Sequence, residues 1–292
     1  MPISFPNFKQ NLRNPYGRKL LRESDGDTPV IDQPVRMVSC DTPEKAGYAG
    51  KPPVAQTTLD KARERLVEGF YPGIPGSLRD YLVAKLTPDA AERHINAANR
   101  ASDEFGQLLE SRLTLDNGSK RNLGVIPTGE IVDLYGRLLA YLIPFYKGKK
   151  EGDPIPPDKG SPERATFNLN MIASGWAAFF PIYPSLPQDD DLNRALDAAE
   201  HAWEKKLGAW HEFGATLLLG YEYRMCVKLG RPLEQNETPS QRAGKAFERI
   251  CVNIRTRRIK GAFGFPEVPP PHRLWIWKKD LPEATQTLGL QP

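Results

Sequence analysis

Arginines and carboxylates occur together in short segments of the first half of the chain. Arg36 lies just before the run DTPE at residues 41–44, and Arg137 ends the run DLYGR that begins at residue 133. A further acidic segment, DGDT, covers residues 25–28. An arginine stays protonated and binds two phosphate oxygens at once, while carboxylates bind calcium or orient a water molecule. These residue types would suit chemistry at a phosphate.

Each segment also has a purely structural interpretation. DGDT is a turn signal, because Asp and Gly favour turns for local backbone reasons. The run at 41–44 has the residue types that open a helix, and DNG at 116–118 is an ordinary hairpin turn. No single segment therefore decides between a turn and a site.

Hydrophobic periodicity predicts the elements that would position these residues. The predicted strands are 35–40, 112–115 and 138–143, with 274–277 as a strand or docking segment. The predicted helices are 57–70, 91–109, 167–178, 192–207, 212–229 and 242–251. Strands and helices come in groups rather than in alternation, which predicts an α+β fold.

Composition narrows the class of protein. The chain has 292 residues, of which 39% are hydrophobic, so it can form a sizeable core. Cys40, Cys226 and Cys251 are too scattered for a disulfide framework or a metal site. No apolar run is long enough to cross a membrane, and the first residues do not resemble a signal peptide. We therefore expect a cytoplasmic protein with no membrane partner.

Basic charge is concentrated at the C-terminal end. Residues 211–292 hold 13 Lys/Arg against 8 Asp/Glu, whereas the first 210 residues hold 27 against 28. The basic run 255–260 is followed by Phe263 and Phe265. Such a run suits single-stranded nucleic acid, but we favour a strand with a charged outer face and apolar anchors, because Phe and Trp are buried more often than they stack.

Taken in order, DGDT, R-x-x-x-x-DTPE and D-x-YGR-x-LAY resemble the signature of the staphylococcal nuclease (thermonuclease-like) family. The segment 167–175 with Asn168, and the segment 192–210 that ends in Trp210, resemble later helices of the family. The resemblance covers residues 15–210. It implies a five-stranded OB-type β-barrel with packed helices, carrying insertions near 50–90, 117–128 and 147–162.

Residues 211–292 resemble nothing in this family. We expect them to form a mostly helical appendage packed on the barrel, and a homodimer formed through this extension is a further expectation.

The resemblance also implies a divalent cation, with calcium as the expected cofactor. Asp27 and Asp41 would be its carboxylate ligands, and Thr42 would add its backbone carbonyl. Calcium accepts several oxygen ligands in loose geometry, which agrees with this set.

The remaining roles follow from the same resemblance. Glu44 would prepare the attacking water, while Arg36 and Arg137 would stabilise the charge on the phosphate. Tyr135 would hydrogen-bond a neighbouring phosphate and Tyr183 would contact the substrate.

The expected function is a metal-dependent nuclease that hydrolyses phosphodiester bonds of DNA, RNA or both. The alternative is a non-catalytic nucleic-acid-binding or scaffold protein that uses the same barrel. Leu134 stands where the family has a lysine, so the substrate preference stays open. The four histidines lie outside the motifs and give no support to a histidine-based mechanism.

Overall fold

The computed structural model describes residues 16–146, 157–158 and 160–292, which form a mixed α+β architecture. The strands are β1 (Leu20–Asp25), β2 (Thr28–Ile31), β3 (Val35–Met37), β4 (Ser39–Asp41), β5 (Leu123–Val132), β6 (Leu138–Pro144), β7 (Ala178–Phe180), β8 (Ile182–Tyr183), β9 (Arg249–Asn253), β10 (Arg258–Gly261) and β11 (Arg273–Trp277). The helices are α1 (Pro52–Val67), α2 (Gly76–Lys85), α3 (Ala90–Leu113), α4 (Phe167–Ala173), α5 (Asp189–Glu204), α6 (Ala209–Glu212), α7 (Gly220–Gly230), α8 (Pro239–Ala246) and α9 (Leu281–Leu288). None of the helices in these ranges is long and apolar enough to cross a membrane.

Strand pairing within the described residues gives separate sheets rather than a closed barrel. One sheet has the order β3-β6-β5, with β3 parallel to β6. A second pairs β4 with β7, and a third has the order β10-β9-β11-β8. The hairpin β1-β2 stands apart. The consecutive strands β3 and β4 thus belong to different sheets.

A kink between β3 and β4 splits the strand that the sequence predicts over 35–40. Ser39 has a φ of 58°, a left-handed conformation that is uncommon outside glycine. The buried amide of Asn168 fixes this point, because it donates to the Val38 carbonyl at 2.8 Å and accepts from the Leu142 amide at 3.0 Å. The chain therefore leaves one sheet and enters the next within two residues.

The largest core joins the first helices to the C-terminal extension. Leu59 of α1, Tyr223 of α7 and Trp275 of β11 are all buried in one apolar cluster. Helix α1 packs so closely on α7 that a Cβ at Gly230 would lie 1.9 Å from the Thr58 carbonyl oxygen. This core therefore includes residues from both sides of position 210, where the sequence predicts the end of the nuclease-like part.

A buried charged network ties the same elements together. The Glu222 carboxylate on α7 accepts hydrogen bonds from Lys85 of α2 at 2.6 Å, from Arg273 of β11 at 3.0 Å and from the Tyr81 hydroxyl at 2.6 Å. Burial raises the pKa of Glu222, but Lys85 and Arg273 outweigh it and lower the pKa to about 2. Glu222 is therefore ionised, and it links three elements that lie far apart in sequence.

Several predicted elements are confirmed and others are wrong. Strand β6 and strand β11 confirm the predictions at 138–143 and 274–277, and α5 confirms most of the helix at 192–207. The strand predicted at 112–115 is wrong, because α3 continues to Leu113.

The other errors lie at helix ends. The helix predicted over 167–178 ends at Ala173, because the chain turns into β7, where it pairs with β4. The helix over 212–229 is broken into α6 and α7, and the one over 242–251 gives way to β9. At all three places, long-range pairing or packing overrides local helix propensity.

The extension contains the helices α7, α8 and α9, and it also contains β9, β10 and β11, which form a sheet with β8. Strand β11 lies between β8 and β9, and its first four residues are buried. The apolar run predicted at 274–277 is therefore packed within this chain. Arg255 forms ion pairs with Glu200 and Asp197, and Phe265 is buried. The basic run therefore begins in the turn between β9 and β10 and continues into β10. Most of the loop predicted at 147–162 lies outside the described residues.

Candidate functional site

The kink between β3 and β4 brings Arg36 and Asp41 together. Arg36 lies in β3 and pairs with Leu139 of β6, while Asp41 ends β4. Because the chain turns between them, the Arg36 guanidinium donates to Asp41 Oδ1 at 2.7 Å. Two of the residues that the sequence singles out are therefore in direct contact.

A residue that the sequence analysis missed completes the site. Arg224 of α7 donates from Nη2 to both oxygens of Asp41, each at 3.0 Å, and from Nη1 to Glu44 Oε1 at 2.5 Å. We call Arg36, Asp41, Glu44 and Arg224 the arginine–carboxylate cluster. Arg224 had no local signal, since it lies inside an ordinary amphipathic helix; only the basic excess of residues 211–292 pointed to this part of the chain.

Charge in the cluster is balanced and partly shielded from water. The side chain of Asp41 is fully buried, which raises its pKa, but Arg224 and Arg36 outweigh burial and hold the pKa below its usual range. The Arg224 pKa is raised, because Asp41 and Glu44 outweigh the effect of burial. The Glu44 side chain is 26% exposed and therefore open to solvent. Asp41 is thus a fixed buried anion, and Glu44 is the accessible carboxylate.

His94 of α3 fixes the backbone of Glu44. Its Nε2 accepts a hydrogen bond from the Glu44 amide at 2.8 Å, and its Nδ1 lies 2.9 Å from the Leu218 carbonyl, to which it donates. The ring stacks on Tyr223 with centroids 3.8 Å apart. Burial lowers the pKa of His94 to about 3, so the ring is neutral. His94 therefore links Glu44 to α3 and to the segment before α7.

A further arginine lies next to the cluster. Arg249, at the start of β9, places its guanidinium 4.1 Å from the centre of the Trp277 ring and 5.7 Å from that of Phe180. The guanidinium of Arg224 lies 5.9 Å from the same Phe180 ring. Burial lowers the pKa of Arg249 to about 10, and its Nε has no hydrogen-bond partner in the part of the chain that the structure describes. Arg249 thus adds positive charge, and among the described residues it forms no ion pair with a carboxylate.

The predicted phosphate-binding residues Arg137 and Tyr135 lie outside the cluster. Arg137 precedes β6 and forms an ion pair with Asp133 at 2.7 Å, and Tyr135 is 75% exposed. Arg137 thus lies just before β6, the strand that pairs with β3 and places Leu139 opposite Arg36.

The remaining predicted site residues have other surroundings. Asp27 lies in the exposed turn of the β1-β2 hairpin, where its carboxylate accepts from the Thr28 hydroxyl at 3.0 Å. Tyr183 is buried in β8, and its hydroxyl donates to Glu283 at 2.9 Å. Tyr183 therefore offers little surface to a substrate.

The arrangement does not fit a divalent cation at Asp41. Both oxygens of Asp41 already accept hydrogen bonds from guanidinium groups. The carbonyl of Thr42 faces the start of α7, where a Cβ at Gly220 would lie 2.5 Å from it and 2.5 Å from Asp41 Oδ2. Within the described ranges, no group of three or more His, Cys, Asp or Glu side chains could hold a metal ion.

No protein-family model matches the chain, and no curated protein has a matching sequence. The chemistry of the arginine–carboxylate cluster therefore has to support any functional conclusion. Guanidinium groups beside an accessible carboxylate have the chemistry that an oxyanion site needs.

Proposed function

We propose that this protein is a nuclease that hydrolyses phosphodiester bonds of DNA, RNA or both, on an OB-type barrel like that of the staphylococcal nuclease family. One observation carries the proposal. Arg36 and Glu44, separated by a kinked strand, meet in one partly exposed cluster around the buried Asp41. The ordered motifs that contain these residues add to it.

The proposed reaction uses side chains in distinct roles. A phosphodiester is an anion, so the transition state needs fixed positive charge at the phosphate oxygens. Arg36 and Arg137 supply that charge, with Tyr135 as a hydrogen-bond donor to a neighbouring phosphate. Glu44 accepts a proton from water as the water oxygen bonds to phosphorus and the bond to the leaving sugar oxygen breaks. A proton from solvent neutralises the leaving oxygen.

Arg224 and His94 prepare Glu44 in this proposal. His94 fixes the backbone of Glu44, and Arg224 fixes its carboxylate at 2.5 Å. Calcium is the cofactor that the family resemblance implies. Because the arrangement at Asp41 does not fit it, no step of the proposed reaction uses the cation, and the assay below varies it.

The second candidate is a nucleic-acid-binding protein that does not cut. The observation that favours it is the pairing of Arg224 with both carboxylates. Glu44 Oε1 already accepts a hydrogen bond from Arg224, which suits a fixed ion pair, and the charge of Arg249 would serve binding alone. Only turnover distinguishes the two candidates, because the nuclease cleaves nucleic acid and the binding protein does not.

The deciding experiment is cleavage of labelled single-stranded DNA, double-stranded DNA and RNA by the full chain, each in calcium, in magnesium and in chelator. We expect cleavage that falls at least ~100-fold in Glu44→Gln, the loss typical of a missing general base. Glu110→Gln is the matched control, since Glu110 pairs with Lys120 on the exposed surface. Binding without cleavage of any substrate would reject the nuclease and favour the second candidate.

A further inference from the structure

We infer that Arg224 takes the place of a divalent cation at Asp41, so that the site holds phosphate through arginines and does not bind calcium there. The inference rests on the proposed function for the identity of the anion. Nη2 of Arg224 contacts both oxygens of Asp41, and Nη1 contacts Glu44. A guanidinium therefore bridges the two carboxylates, as a cation bound between them would.

Arg224 is fixed in place rather than carried on a movable segment. Glu222, two positions earlier on α7, is fully buried between Lys85 and Arg273. At the start of the helix, Gly220 lies so close to Asp41 that a Cβ would not fit. The largest core therefore fixes the backbone of Arg224, and three hydrogen bonds to Asp41 and Glu44 hold its guanidinium.

Charge also disfavours a cation at Asp41. Arg36 contacts the same carboxylate, so a calcium ion there would lie beside two guanidinium groups. Displacing them would leave two partly buried arginines without their partner, which is unfavourable. Like charges close together in a partly buried site weaken each other's binding.

The same charges suit an oxyanion. Arg36, Arg224 and Arg249 bring three positive charges, against the two negative charges of Asp41 and Glu44. Glu248 also acts on Arg249, but it is paired with Lys228 at 3.3 Å, so one positive charge is left over among these groups. A phosphodiester group would supply the missing negative charge.

Calorimetric titration of the full chain with calcium chloride tests the inference without any turnover. We expect no saturable binding at millimolar calcium in the wild type. Arg224→Gln removes the positive charge and should bind calcium at least about tenfold more tightly than wild type, because a repelling charge next to the carboxylates is gone. Arg224→Lys keeps the charge and should behave like wild type.

Arg231→Gln is the matched control, since Arg231 lies at the other end of α7 and contacts the Tyr48 carbonyl instead of a carboxylate. It should bind calcium no better than wild type. Equal calcium affinity in wild type and Arg224→Gln, or no binding by a folded Arg224→Gln, would overturn the inference. If Arg224→Gln does not fold, the test rests on wild type and Arg224→Lys. Saturable calcium binding by either protein would then overturn the inference.

A second measurement uses only the wild type. Binding of a labelled, hydrolysis-resistant oligonucleotide, followed by fluorescence anisotropy, should have the same affinity in chelator as in calcium. Calcium-dependent affinity would contradict the inference. A protein that binds oligonucleotide in chelator but never cleaves would reject the proposed nuclease while leaving the role of Arg224 intact, so the two failures are distinguishable.

Discussion

Replacing Glu222 by glutamine tests whether the buried charged network holds the extension to the rest of the chain. The substitution keeps the shape of the side chain and removes its charge. Lys85 and Arg273 then keep their positive charges in a site that is almost closed to water, with side-chain exposures of 9% and 2%. Two like charges without a counter-ion in such a site oppose each other and folding.

The size of the effect follows from the structure in two ways. At about 1.36 kcal/mol per pKa unit, lowering the pKa of Glu222 from 4.5 to about 2 corresponds to about 3 kcal/mol of stabilisation of the folded chain. Removing one partner of a buried ion pair typically costs about 3–5 kcal/mol. We therefore expect Glu222→Gln to lower the free energy of unfolding by about 3–5 kcal/mol at neutral pH.

Urea unfolding followed by far-ultraviolet circular dichroism and by tryptophan fluorescence measures this change, provided that the two transitions coincide. Glu212→Gln is the control, because Glu212 forms an exposed pair with Arg100 and should change stability by less than about 0.5 kcal/mol. The pKa of Glu222 is lower in the folded state, so its contribution is present above pH 4.5 and is lost as the pH falls toward about 2. The free energies of unfolding of wild type and Glu222→Gln should therefore converge as the pH falls from 4.5 toward about 2. A loss below about 1 kcal/mol would refute the reasoning, because an average point mutation already costs about that much.

Three further predictions concern the site itself. Arg36→Ala should lower the turnover of nucleic acid at least ~100-fold with an unchanged circular dichroism spectrum; normal turnover would remove Arg36 from the reaction. The pKa of His94 falls from 6.5 to about 3 on folding, so stability should drop as the pH falls from 6.5 toward 3, by at most about 1.4 kcal/mol per pH unit. Urea midpoints of wild type and His94→Gln, measured at several pH values, test this. If the midpoints of both proteins depend on pH with the same slope, the prediction is contradicted. Gly220→Ala puts a methyl group 2.5 Å from Asp41 Oδ2 and should cost about 1–3 kcal/mol in urea unfolding, whereas Gly106→Ala, with nothing within 4 Å, should not destabilise.

Local patterns in the sequence account for much of the secondary structure. The period-3.6 stripe of α5 and the apolar run of β6 have their apolar positions fixed by helix and strand geometry, so both elements were predictable. Helix ends were less predictable. The chain after Ala173 forms β7 because β4 lies beside it, which no local pattern contains.

The spacing of Arg36, Asp41 and Glu44 within nine residues already confines these side chains to one region, because a short chain segment cannot separate them far. What each side chain contacts depended on the tertiary structure. Arg224 lies 183 positions from Asp41, and His94 lies 50 positions from Glu44. Such contacts arise only when α3 and α7 pack in one core around Tyr223, because burial of apolar surface and not local sequence decides which distant segments meet.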